Sequence, residues 1–457
     1  MGKILKRNAA VFTMVVSSLS ITLSGCGANL KSSSTSDNTS TSTGSNEPPV
    51  PPPPTGSYAV YPSCASPAST YQRTLYVDAA LGSDLGDGSQ AKPYATLTFL
   101  FANKLVQPGD HLVVAKGSYA ALALSKYNYP ALVASPSWVW FDFQPGADIS
   151  GIAISDISKI LVTGATIHKT SGDIVTVNSA LDIVIANNAI YSSSASPDSL
   201  TAAQWMGLAN AAFVRDGSCT SLYKNVIRNV RFGISFYTTI TTYPNNSLKG
   251  LADGNDLRGF SGDASRGIAS DLIFRNNSFV DGYVSDADGD GNHDDMFQGF
   301  ALGGCVFENL LIEDNFMLDR SSASRTLVSE YQGISIFDGL YKNVVVRRNI
   351  VLSGAYHGIS MYGTDGLLVE NNTVLNTGNK TLWIGAFISK GGVAPINNVI
   401  RNNLADKFSN VNLSSSTNNF VIAAPVSSFV LFDLASGTFD LHLKPTDPAY
   451  GKAAGAL

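Results

Sequence analysis

From Leu75 onward, apolar and polar residues alternate in short runs that end repeatedly on asparagine. Asp182-Ile-Val-Ile-Ala-Asn-Asn188, Asp271-Leu-Ile-Phe-Arg-Asn-Asn277 and Asn309-Leu-Leu-Ile-Glu-Asp-Asn315 share one phrase. Asn343-Val-Val-Val-Arg-Arg-Asn349, Gly366-Leu-Leu-Val-Glu-Asn-Asn372 and Asn397-Asn-Val-Ile-Arg-Asn-Asn403 repeat it. Period-two alternation marks a β-strand, whose successive side chains face opposite sides. The last asparagine stands where the chain bends toward another short apolar strand. Asparagine tolerates left-handed geometry there, and stacked copies can hydrogen-bond along the pile. The terminal asparagines at 315, 349, 372 and 403 are 34, 23 and 31 residues apart. The shortest spacing fits one bare coil, and the longer ones carry inserted loops. Strands in short period, without intervening helices, exclude a doubly wound or barrel fold. The pattern predicts an all-β chain, a right-handed parallel β-helix.

The start of the repeat has its own pattern. Leu75-Tyr76-Val77-Asp78 is followed by Gly82-Ser83-Asp84, Gly88, Pro93 to Leu97, Pro108-Gly109-Asp110 and Gly117-Ser118-Tyr119. A strand, a polar turn, a short amphipathic helix over Thr96 to Leu105 and a second strand produce this order. It resembles the opening coil of exported β-helix proteins of the pectate-lyase-like group. The resemblance implies that the helix caps the open end of the core. A cap is physically required, because a bare terminal coil exposes apolar surface and unpaired strand edge. Insertions are expected over 192–215, 238–264, 282–296 and 319–330, and such loops tend to gather on a binding face. The coils from Val399 to Val430 carry little decoration and are expected to close the stack.

Composition narrows the partners. Only 14 % of the 457 residues are charged and the net charge is −5, so no basic field exists for nucleic acid. An acidic substrate needs local cations or a bound metal. Lys3, Lys6 and Arg7 precede an apolar stretch from Ala9 to Leu23, too short to span a bilayer. Leu23-Ser24-Gly25-Cys26 then looks like a lipobox, with Cys26 the lipidated residue. We therefore expect a signal peptide over 1–25, a Ser/Thr/Pro-rich tether over 26–57 and a β-helix domain over 58–457. The protein is expected at the cell envelope as a monomer, lipid-anchored at the outer membrane or cell surface. Cys64, Cys219 and Cys305 remain; an oxidising compartment permits disulfides, but an odd count and the spacings define no connectivity.

A second phrase carries candidate chemistry. Asp295-Met-Phe-Gln298-Gly299, Glu330-Tyr-Gln332-Gly333 and Ala355-Tyr-His357-Gly358 set an aromatic and a polar residue before a glycine. Residues stacked in register lie ~4.8 Å apart. The alignment predicts a polar column of Gln298, Gln332 and His357, beside an aromatic column of Phe297, Tyr331 and Tyr356. Aromatic faces beside hydrogen-bonding groups suit sugar rings. Asp286, Asp288 and Asp290, each two apart before glycine, look like the start of a Ca²⁺ loop, although Phe297 stands where an EF-hand has its closing glutamate. The bland alternative is a hydrated acidic turn.

His293, Asp295 and Gln298 form a His-x-Asp-x-x-Gln pattern that resembles polar site motifs of β-helix proteins acting on bacterial glycans. A lyase must neutralise a uronate carboxylate and then remove the C5 proton. Ca²⁺, Arg320 or Arg325 could neutralise; His293 or His357 could be the base; Tyr331 or Tyr356 could return a proton. Asp294, Glu330, Gln332, Tyr331 and Gln298 are expected to contact the glycan. The rival is hydrolysis by Asp294, Asp295 and Glu330. Polygalacturonase-like hydrolases carry an Asp-Asp pair, but their Gly-His-Gly and Arg-Ile-Lys signatures are missing here. C5-epimerisation shares the first step of elimination, and a non-catalytic glycan-binding surface protein is the third reading.

Overall fold

A computed structural model describes residues 58–284, 293–301, 304–325, 327, 329–390, 392–410 and 416–456. Cys26, the tether and the Asp286, Asp288 and Asp290 turn lie outside the described residues. Each coil contributes one strand to each of three parallel sheets, wound as a right-handed β-helix. The first sheet has 12 strands, from Arg73–Val77 to Val399–Arg401. The second has 12, from Gly117–Tyr119 to Phe420–Val421, and the third has 11, from Leu122–Ser125 to Lys407–Phe408.

The apolar half of each alternation fills the interior. Leu272, Leu310, Val344 and Leu367 follow one another in register and are all buried. The polar half stacks outside with alternating sign: Asp253, Arg275, Glu313, Arg347, Glu370 and Arg401 occupy one column of the first sheet. Ion pairs at 3.0, 2.8 and 2.7 Å join Arg275 to Asp253, Arg347 to Glu313 and Arg401 to Glu370. Opposite charges placed across neighbouring strands stabilise a given register over its slipped alternatives.

Between the first and second sheets runs an asparagine ladder. Asn188, Asn225, Asn255, Asn277, Asn315, Asn349, Asn372, Asn403 and Asn419 each pass a side-chain hydrogen bond to the next at 2.9–3.1 Å. Each acceptor oxygen also takes the backbone N–H of the preceding asparagine, as Asn315 Oδ1 does from Asn277. The left-handed residue at this bend is not the ladder asparagine but the one before it. Asn187, Lys224, Asp314, Arg348 and Asn371 take φ of 55°, 52°, 56°, 53° and 55° there. The ladder residue does not take a left-handed φ and is needed for its amide.

Four further sequence expectations change. The capping helix spans Leu97–Ala102 rather than running to Leu105, because Lys104 turns left-handed at φ 53°. Thr96 caps it by accepting from Phe99 N at 3.0 Å, and Leu97 and Leu100 close the core. The stretch 238–264 is not one insertion: its second half is a complete coil edge, Ser247–Asp253 and Asp256–Phe260, around ladder residue Asn255. At the far end, a hairpin of Phe429–Asp433 and Thr438–Leu443 folds back over the outer face of the second sheet, burying Leu318, Leu352 and Leu375. One of the open cysteine pairings resolves as Cys64–Cys219, Cα atoms 5.6 Å apart across 155 residues. It pins the segment holding Tyr58, Val60 and Tyr71 onto Trp138, Trp140 and Leu161 outside the first sheet.

The ladder makes a quantitative prediction. Asn315→Ala strips the acceptor from Asn277 and the donor to Phe274 O in a dry interior. A buried polar group left unsatisfied costs about 1–3 kcal/mol, so denaturant unfolding is expected to lose about 2–4 kcal/mol. A loss below about 0.5 kcal/mol, typical of a surface change, would show the ladder to be ornamental.

Candidate functional site

Among the described residues, several inserted stretches lie where chain leaves the second sheet and enters the third, while 238–246 joins the third sheet to the first. Residues 192–209 and 261–264, and the described residues 319–325 and 329–331, make that passage. The third-sheet strands Asp295–Phe300, Gln332–Asp338, His357–Tyr362 and Trp383–Ile388 start there, one above the other.

Their register differs from the alignment on glycine. Asp295, not Gln298, pairs with Gln332, and His357 pairs with Trp383. Gln298 lies three residues along, between Arg266 and Ser335. Gln332 does meet His357: its Oε1 lies 2.6 Å from Nδ1 of the ring. The polar column is therefore Asp295, Gln332 and His357, ending on Trp383. The aromatic column does not form on the surface. Phe297 and Tyr331 are fully buried in the core, and the Tyr331 hydroxyl donates to Tyr283 O at 2.8 Å. Tyr356 alone of the three is exposed, at 43 %.

Around His357 the structure assembles groups from four stretches of chain. The Tyr356 and Trp383 rings lie 4.1 and 4.7 Å from it, and the Phe337 ring 5.1 Å. The Tyr362 hydroxyl is 3.4 Å from Nε2. His293 is exposed and close enough to act electrostatically on the ring. Lys380 stands over Tyr356 and pairs with Glu330. On another side, Lys390 lies near the Phe337 and Tyr362 rings and pairs with Asp338 at 3.2 Å. All four of these charged side chains are at least 40 % exposed. The cluster therefore lies at the surface, with Tyr356 and the four charged side chains exposed and Phe337 buried beneath them. Two concavities of about 290 Å³ lie elsewhere, lined by Ser179, Asp216 and Ile240 and by Leu404, Leu441 and Tyr450.

Burial sets the charges. Loss of water, then the positive charges of His293 and Lys390, pull His357 down to about 4, so the imidazole is neutral across ordinary pH. Asp295 is wholly buried, and desolvation together with the Asp263 carboxylate raises it well above the usual range. Its backbone N–H goes to Asp263 Oδ1 at 2.7 Å, and Gln298 Nε2 donates to its carboxyl at 3.3 Å. Asp294 is also buried. Neither aspartate reaches the surface to touch a substrate. Arg325 does not join the cluster either. Its guanidinium is buried against Asp281 at 2.7 Å, Gly282 O at 2.6 Å and the Tyr283 ring, where it braces the 319–331 loop.

Sequence reasoning missed Tyr362, Trp383, Phe337, Lys380 and Lys390. Tyr362 had a legible sign, because His357 and Tyr362 bound one short alternating strand. Trp383 was hidden by a bulge between His357 and Ile359, which breaks the phrase in the next coil. The two lysines sit in loops whose path no periodicity encodes. Among the described residues, no group of three or more His, Cys, Asp or Glu side chains could hold a metal ion.

No known protein family and no curated protein matches the chain in sequence. Solved structures are similar in fold. A rhamnogalacturonan lyase is 14 % identical with a TM-score of 0.44, over 80 % of this chain and 92 % of its own. The pectate lyase Pel9A is 15 % identical with a TM-score of 0.41, over 83 % and 91 %. A polygalacturonase from Erwinia carotovora is 12 % identical with a TM-score of 0.34, over 76 % and 89 %. The likeness is one of winding, and the side chains must carry the chemistry.

His357 yields a pH prediction of definite sign. Its folded value lies below the ordinary 6.5, so protons bind the unfolded chain first and this residue costs stability as pH falls toward 4. Asp319 and Asp406, raised by burial to about 6, act oppositely, since the folded chain takes up their protons first. Whole-molecule stability therefore mixes the two signs, and the ring itself must be read. Its carbon-bound protons are expected to titrate by NMR near pH 4; a midpoint near 6.5 would mean that the ring is solvated.

Proposed function

We propose that this chain is an extracytoplasmic polysaccharide lyase that cleaves an acidic, uronate-containing glycan by β-elimination. The observation that carries the reading is a neutral imidazole among aromatic rings, flanked by two exposed lysines. Each component answers one need of the reaction. Tyr356 and Trp383 offer faces for the apolar side of a sugar ring. Lys380 or Lys390 can draw charge from the uronate carboxylate, which makes the C5 proton acidic enough to remove. His357, unprotonated, can take that proton. Glu330 and Asp338 hold the lysines until substrate competes for them.

Hydrolysis is less well served. A glycosidase needs two carboxyl groups facing the scissile bond, about 5–9.5 Å apart. Of Asp294, Asp295 and Glu330, only Glu330 is accessible, and it is paired with Lys380. Calcium at Asp286, Asp288 and Asp290 belongs to the same proposal as an auxiliary of the uronate site. So does anchoring of the exported chain through Cys26.

The test is ultraviolet absorbance of the unsaturated uronate formed on incubation with uronate-containing and neutral glycans, with and without chelator. We expect a rise on acidic glycans that falls at least about 100-fold in His357→Ala, the scale of a lost general base. Chelator sensitivity would support calcium. Activity should sediment with membranes from cells making the full chain and remain soluble for Cys26→Ala. New reducing ends without absorbance would favour hydrolysis, proton exchange without cleavage would favour epimerisation, and no product at all would leave glycan binding.

A further inference from the structure

We propose that Gln332 is a positioning residue that holds His357 as its Nδ1–H tautomer, and that Tyr362 is the proton donor to the departing sugar oxygen. The inference rests on the lyase reading for its chemistry, but its structural half stands apart from it.

The argument begins with the hydrogen bond between coils. An amide oxygen only accepts, so Oε1 of Gln332 at 2.6 Å from Nδ1 matches a ring proton at that nitrogen. A neutral imidazole has one such proton, which leaves a lone pair on Nε2. Nε2 faces the Tyr362 hydroxyl at 3.4 Å, at the other end of the same strand. Gln332 is itself buried, and the strand register seats it beside Asp295 of the preceding coil, so its reach toward His357 is fixed by packing. In the familiar serine-hydrolase arrangement an aspartate orients the ring and also stabilises its cation. A glutamine orients it and adds no charge. That choice matches the rest of the surroundings: His293 from two coils earlier, Lys390 with its partner Asp338, Lys380 with its partner Glu330, and the uncharged Tyr356, Tyr362 and Trp383. Both carboxylates are held by lysines, so no free counter-charge stabilises a resting imidazolium, and a proton taken by Nε2 is readily passed on. Burial and the neighbouring Tyr356 likewise push the Tyr362 hydroxyl upward, which keeps it protonated.

The pair balances an elimination without outside help. Nε2 takes the C5 proton, and the C5–H electrons become the C4=C5 double bond. The C4–O electrons leave with the oxygen, which takes the Tyr362 proton. The Tyr362 phenolate then recovers a proton from Nε2–H across the contact already present. Both side chains return to their starting states, and the proton removed from C5 is accounted for on the leaving group.

Nitrogen NMR of the histidine-labelled whole chain, with His357→Ala to assign the signal, reads the tautomer directly. We expect protonated Nδ1 and bare Nε2 at neutral pH. A proton on Nε2 would mean that the Gln332 amide donates instead, and would overturn the proposal. Gln332→Glu should raise the His357 midpoint by at least one pH unit and move the acid limb of turnover with it. Gln332→Leu should mix the tautomers and lower kcat more than it raises KM. Unchanged tautomer and midpoint in both variants would also overturn it. Tyr362→Phe should leave the tautomer intact and cut kcat about 100-fold; undiminished kcat would remove Tyr362 from the scheme. If the tautomer is as stated but no uronate glycan yields elimination product, the lyase reading fails and the positioning of the ring survives. Elimination with the opposite tautomer fails the positioning alone.

Discussion

Every structural feature of this protein depends on coils stacking in step, and the constraint that enforces this is the buried asparagine ladder. A polar group taken out of water must find a partner. Here the partner of each asparagine is the same residue one coil away. A coil that slipped by one residue would strand two amide groups and turn its apolar side chains outward. The alternating Asp, Arg and Glu column outside the first sheet favours the same register from the solvent side. Loops as long as 319–331 are tolerated because each coil re-enters the ladder after its excursion.

That rigidity places the site. Asp295, Gln332, His357 and Trp383 come from strands far apart in sequence, yet their spacing is set by the sheet. The same dry packing sorts the ionisable groups into two kinds. Asp295, Asp319 and Arg325 are buried and serve the loops; Glu330, Asp338, Lys380 and Lys390 are paired at the surface and can exchange partners. His357 lies between, half-buried and neutral, with its Nε2 facing the Tyr362 hydroxyl.

Much of the architecture was legible in the sequence. Its periodicity is physical: an interior that admits only apolar side chains, and a bend that requires an amide, leave their mark at each turn. Asn225 and Asn255 escaped notice because Lys224 and Gly254 before them do not resemble the doubled asparagine elsewhere. The site was legible only in part. Gln332 and His357 were found through a shared phrase, but aligning that phrase on its glycine put Gln298 where Asp295 belongs. The Phe297 and Tyr331 rings looked like surface aromatics because nothing local distinguishes an inward from an outward ring at a corner. Lys380 and Lys390 lie in loops, where position follows from tertiary contact alone.

The most direct measurement is a crystal structure of His357→Ala with a bound acidic oligosaccharide. The account predicts sugar density over the start of the third-sheet strands, stacked on Tyr356 or Trp383. A carboxylate should lie within hydrogen-bond reach of Lys380 or Lys390, and Tyr362 should approach a glycosidic oxygen. An oligosaccharide seated instead on the outer face of the first or second sheet, with the His357 surface bare, would contradict it.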